Sequence, residues 1–180
     1  MTQSEFNVEL IKKGELVCRN TQYCKGKQIG VHGRMFGADL MEELDSVCSV
    51  FAAEICDTPW VVTKTMNIEF VAPILPNQIY KTYVGIKALG NSSITLNAEI
   101  RKHSVHTEKE TLAIKCETVF VRINDEGEAI KISDSVRKKF DFEIKKDPLW
   151  GEIYLLKRSE IYRNPWESQV TQWRQGRIYP

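Results

Sequence analysis

The chain has 180 residues, enough for one well-packed domain with an appendage and short for two. Its 25 basic and 24 acidic residues leave a net charge of +1, so no global electrostatic argument favours nucleic acid or an anionic membrane as partner. The first ten residues, MTQSEFNVEL, lack a basic start followed by an apolar core, and no run approaches the ~18 apolar residues of a membrane span, so a cytoplasmic location is expected.

Residues 6–19 hold two short β-capable runs around Lys13-Gly14 and read as an incoming strand or hairpin. From Thr21 to Arg34 the chain is basic and punctuated by glycine, which predicts a loop, and it leads into a helix N-terminus where ligand contacts are common. Between Gly33 and Asp57, Leu40, Leu44, Val47, Phe51 and Ile55 recur at helical spacing, and nothing from Val47 to Ala53 is charged. This predicts a long helix covered on most sides, the nucleus of the core. On its wheel Asp45 falls beside Met41, Cys48, Ser49 and Ala52, at the flank of the apolar stripe, which predicts a partly solvated carboxylate close to the core. An acidic residue merely solvated at the rim is the plainer reading of that position. Phe36-Gly37-Ala38 enters the helix at the end where free N–H groups point outward, which suits an anion or an oxyanion.

Four strand-like segments follow. Trp60–Ala72 places Met66, Ile68 and Phe70 on one face, and Gln78–Leu89 sets Tyr80, Val84, Ile86 and Ala88 against Lys81, Tyr83 and Lys87. Ser93–Val105 alternates Ile94, Leu96, Ala98 and Ile100 with polar residues. Leu112–Ile123 changes apolar register midway, which predicts a bulge near Glu117. A helix followed by consecutive antiparallel strands, each with one apolar face, is an α+β arrangement in which a curved sheet wraps the helix and leaves edges for self-association.

From about residue 131 the character changes to a charged tail with three of the four tryptophans. It divides the chain into a domain over 1–130 and an extension over 131–180, with short helices at Ser133–Phe142 and Trp150–Tyr162 expected to dock on the domain or a neighbouring subunit. The five cysteines form no Cys-x-x-Cys pair, and His32, His103 and His106 stand at no ligand spacing from them, so reduced thiols and no metal site are expected.

The order Gly33-x-x-Phe36-Gly37-Ala38, Leu44-Asp45, Val61-Val62-Thr63, Met66-Asn67, Phe70, Pro73, Gly90-x-Ser92-Ser93-Ile94, Val119-Phe120 and Asp125-x-Gly127 resembles the hot-dog-fold acyl-CoA thioesterases over roughly residues 30–130. The resemblance implies a homo-oligomer with its active site at a dimer interface, acting on an acyl-CoA thioester with no further cofactor. It assigns Asp45 as general base or nucleophile and the Gly37 backbone N–H as oxyanion donor. Phe36, Ala38, Thr63, Gly90, Ser92, Ser93 and Arg101 are the corresponding substrate-binding candidates. Two departures stand out: Gly30 occupies a position where such proteins often carry Asn, with Gln28, Asn20 or His32 as substitutes, and Asn91 replaces an Arg inside the Gly-x-Ser-Ser turn. The competing readings are a non-catalytic acyl-CoA or acyl-carrier binding protein of the same fold, and a hot-dog dehydratase using His32 with a helix carboxylate.

Overall fold

The computed structural model describes residue 11 and residues 14–140. Strand β1 (Val17–Tyr23) and a 3-10 turn (Gly26–Gln28) lead to helix α1 (Gly37–Cys56). Strands β2 (Val61–Phe70), β3 (Ile79–Leu89), β4 (Ser93–His103) and β5 (Glu110–Arg122) follow, and a short helix α2 (Asp134–Phe140) comes last.

The strands form one antiparallel sheet in the order β1-β3-β4-β5-β2. Tyr80, Thr82, Val84, Ile86, Ile94, Leu96, Ala98, Ile100, Ile114, Cys116 and Phe120 line its buried face, and α1 packs across β2, β3, β4 and β5. Leu40, Leu44, Phe51 and Ile55 of the expected stripe are buried, at roughly 1.5–3 kcal/mol apiece, and Val47 packs partly exposed beside them. The helix stops where Asp57 takes a left-handed conformation (φ 53°) and returns its N–H to the Ala53 carbonyl; Pro59, two residues on, cannot continue it. In β3, Gly85 admits the incoming chain: a Cβ there would lie 2.7 Å from the Glu15 carbonyl oxygen.

Two details of strand register differ from expectation. In β5 no switch occurs at Glu117, because Thr118 is itself a buried position, its hydroxyl donating to the Thr65 carbonyl at 3.0 Å. A satisfied threonine hides in the apolar alternation. The irregularities fall at Ala113, opposite Ile100-Arg101, and on the facing strand at Lys64, between Thr63 and Thr65. In β3 the pairing skips Lys87, so Leu89 turns inward and is buried while Ala88, expected inside, is half-buried. At the other end, Ile132, Val136 and Phe140 sit in the same core as the sheet, and helix α2 begins with the Ser133 hydroxyl accepting from the Val136 N–H at 3.4 Å. The helix expected at Trp150–Tyr162 and the incoming run before Ile11 lie outside the described residues.

Candidate active site

The residues from Cys24 to Phe36 set the entry to α1. The Gly30 N–H donates to the Arg34 carbonyl at 2.9 Å, Ile29 bridges Met35, and the Phe36 N–H donates to the Gln28 carbonyl at 2.8 Å. Phe36 is the residue before the helix and is extended (φ −70°, ψ 136°), but its side chain offers no acceptor. The first-turn N–H groups, beginning with Gly37, therefore have no side-chain cap. They gather the positive end of a 20-residue helix.

Asp45 stands about 12 Å further along the axis, two turns away. It is exposed in the chain, more so than its place on the helical wheel implies, because β2 is an edge strand with no further strand of the sheet beyond it. Thr63 holds it: the threonine hydroxyl donates to Asp45 Oδ1 at 2.7 Å. The Lys64 bulge follows directly after Thr63 in the strand. The helix lies along β2 so that Gly37 meets Phe70, whose ring is 3.6 Å from where a Gly37 Cβ would be, while Asp45 meets Thr63. Beneath the carboxylate two thiols are kept protonated. Burial pushes Cys116 up to about 11, helped by Glu117 and Asp45, and burial with Cys116 and Asp45 pushes Cys48 up as well. They are therefore poor nucleophiles at neutral pH.

Along β2 and its flanks and the start of α1, Phe36, Met41, Trp60, Val62, Phe70 and Val71 stay 41–59% exposed. That is a large amount of uncovered apolar surface on one side of a single chain.

The structure brings Phe36, Gly37, Ala38, Asp45 and Thr63 onto this helix–β2 side. It places the other candidates elsewhere in the chain. Gly90, Ser92 and Ser93 form the β3–β4 turn; Ile94, the next residue, pairs with Phe120, which pairs with Thr63, so the turn lies about two strand spacings, ~10 Å, to the side. Arg101 is on the outward face of the sheet, opposite Asp45, where it pairs with Glu99 at 2.7 Å and stacks 4.5 Å over the Tyr83 ring. There Glu110 accepts from Lys81 and Tyr83 at 2.8 Å; burial opposes its ionisation, but these two partners outweigh it and hold the carboxyl below its usual range. Of the suggested substitutes for the missing asparagine, Asn20 donates to Glu43 at 2.7 Å, the Gln28 side chain accepts from the Lys25 N–H at 2.9 Å, and His32 is exposed in the loop. No group of three or more His, Cys, Asp or Glu able to hold a metal occurs among the described residues, and no described helix is long and apolar enough to cross a membrane. All five cysteines are free.

A five-stranded antiparallel sheet curled about one long helix, with a helix carboxylate facing an edge strand, is the hot-dog fold. Residues 32–109, from the helix entry to the end of the β4–β5 turn, match the profile of the Thioesterase superfamily. The chain is 24% identical over 101 residues to an uncharacterized acyl-CoA thioester hydrolase, YkhA, of Bacillus subtilis, a match spanning 56% of this chain and 59% of that protein. Among solved structures, an acyl-CoA hydrolase of Staphylococcus aureus, determined with butyryl coenzyme A and coenzyme A, superposes with a TM-score of 0.63 at 21% identity, covering 91% of this chain and 97% of that one. A hexameric hot-dog thioesterase of Campylobacter jejuni superposes with a TM-score of 0.61 at 20% identity, covering 69% and 96%.

Proposed function

We propose that this protein hydrolyses acyl-CoA thioesters, with Asp45 as the reacting carboxylate. The observation that carries the reading is that one side of the helix, the side along β2, holds both parts such a reaction needs. An uncapped helix N-terminus lies at one end, and an open carboxylate, fixed by a single threonine hydroxyl, lies two turns away. In this scheme the thioester carbonyl oxygen accepts from the Gly37 N–H, where the helix end stabilises the negative charge of the tetrahedral intermediate, worth roughly 10²–10³ in rate. Asp45, oriented by Thr63, either removes a proton from the attacking water or attacks the carbonyl itself; a positioned base contributes about 10²–10⁴. Coenzyme A enters as part of the substrate and leaves as the thiol. No separate cofactor takes part.

The exposed apolar residues along β2 and the start of α1 support a homodimer in which a second copy covers this side and completes the substrate channel. The five free thiols support a cytoplasmic setting. A reading as a binding protein without turnover draws on Gly30, which offers no side chain and lies against the Phe36 ring, 3.4 Å from where its Cβ would be.

The test is thiol release from short- to long-chain acyl-CoAs, with size-exclusion mass determination in parallel. Hydrolysis of at least one chain length, abolished in Asp45→Ala while the oligomer persists, is the expected result. Tight binding of the same esters with no thiol released would instead assign the protein to the non-catalytic class.

A further inference from the structure

The edge strand β2 runs out into Phe70-Val71-Ala72-Pro73-Ile74, and this short run is fastened on two sides. The Val71 and Ala72 N–H groups both donate to the Ala113 carbonyl, at 2.8 and 3.1 Å, and the Ile74 carbonyl accepts from the Met35 N–H at 2.8 Å. Ile74 and Met35 are buried, so the strand end is tied both to β5 and to the entry of α1. Phe70 is thereby held against the first residue of the helix. Its ring tip lies 3.6 Å from where a Gly37 Cβ would be, and the adjoining ring carbon 3.8 Å. Only part of the ring is used by this contact, since Phe70 stays 55% exposed.

On α1, Gly37, Met41 and Asp45 follow at a spacing of four, which turns each about 40° from the last and keeps all three on one side of the helix. The first meets Phe70 and the third meets Thr63, so this is the side along β2. Met41 stands one turn from the proposed oxyanion donor and one turn from the reacting carboxylate, and it is 47% exposed. A thioester oxygen that accepts from the Gly37 N–H therefore brings its carbonyl carbon close to the Phe70 ring tip. The Gly37 Cα is at most about 5 Å from that tip, whereas a methylene passing between them needs about 3.5–4.0 Å of clearance on each side. No part of an acyl group fits there, and the chain must leave the carbonyl past Met41.

We propose that Phe70, with Met41 one turn along the helix, is the specificity-determining residue of this site and restricts it to acyl groups that are unbranched next to the thioester carbonyl. This rests on the thioesterase reading above. A straight chain needs one path out of the carbonyl, along the Met41 side chain, whose flexible thioether adapts to what lies against it. A 2-branched acyl group needs a second direction out of the same carbon, and the Phe70 ring tip stands in it.

The experiment compares wild type, Phe70→Ala, Phe70→Leu and Met41→Ala on two pairs of substrates, butyryl- against isobutyryl-CoA and decanoyl- against 2-methylnonanoyl-CoA. Each pair has equal carbon number and differs only in the branch beside the carbonyl. The wild type should prefer the straight isomer in kcat/KM by about 10-fold or more. Phe70→Ala should shrink that ratio by about 10-fold, Phe70→Leu by less, and Met41→Ala by about threefold. A residue that only braces the helix entry would lower both isomers alike and leave the ratio where it was. A ratio moved by less than about twofold in Phe70→Ala, or a wild type that hydrolyses both isomers equally, overturns the proposal. If the wild type hydrolyses none of the four esters, the failure belongs to the thioesterase reading, and calorimetric binding of the same pairs decides the specificity alone. Tighter binding of the straight isomer that Phe70→Ala erases then supports it, while equal affinities, or no binding by the wild type, overturn it. Should Phe70→Ala fail to fold, Phe70→Leu carries the same comparison.

Discussion

Helix α1 presents two carboxylates two residues apart, and their surroundings are opposite. Glu43 faces β1 and β3, where it accepts from the Asn20 amide at 2.7 Å, the Thr82 hydroxyl at 3.1 Å and the Gln22 amide at 3.5 Å. Thr82 is fully buried, and burial together with Glu43 pushes the adjacent Tyr80 phenol up to about 12. Asp45 faces β2, receives one hydroxyl from Thr63, and opens onto uncovered apolar surface. Glu43 has its donors supplied from within the fold and is structural. Asp45 has lone pairs to spare and is exposed, which is what the proposed reaction asks of its carboxylate.

That contrast can be broken by mutation, and the largest effect expected is on rate. Asp45→Ala should lower kcat by about 10²–10⁴, while its denaturation midpoint stays near that of wild type, because an exposed residue with one hydrogen bond contributes about 0.5 kcal/mol or less. Glu43→Ala should do the reverse. It leaves the buried Thr82 hydroxyl and the Asn20 amide without their acceptor and should cost about 1–3 kcal/mol in urea unfolding, with activity per folded molecule retained. Thr63→Val sharpens the Asp45 side: loss of a hydrogen bond to a charged group should reduce kcat by about 10-fold without changing the oligomer, as read by steady-state kinetics and light scattering.

The smallest effect expected is that of pH. Cys56 and Cys116 are raised from 9.0 to about 11, chiefly by burial. In the unfolded chain these thiols ionise first, so the stability that their neutral forms contribute is fully present below pH 9 and is lost as pH rises towards about 11. Urea midpoints measured across that window should fall, and by less in Cys116→Ala.

Much of this was legible in the sequence because the signals were local. The helical spacing of Leu40, Leu44, Phe51 and Ile55 and the alternation of Ile94, Leu96, Ala98 and Ile100 required only nearest neighbours on one face, and both are buried as read. Thr118 misled because hydropathy counts a threonine as polar, whereas its hydroxyl is satisfied by a carbonyl on the adjoining strand. Ala88 was misplaced for a related reason, since the skip at Lys87 leaves no mark in the alternation until the partner strand is known. Within the candidate site, the spacing of Gly37 and Asp45 on one helix could be read directly. The exposure of Asp45 could not, because it depends on β2 being the edge of the sheet. Nor could the approach of Phe70 to Gly37, which joins positions far apart in the chain.

Thiol release from an acyl-CoA by Asp45→Asn and Glu43→Gln, each isosteric and each normalised to folded protein, separates the two carboxylates most directly. A loss of about 10² or more in the first, with the second within about threefold of wild type, is the predicted result. Equal losses in both, or the larger loss in Glu43→Gln, would contradict the assignment of the open carboxylate as the one that reacts.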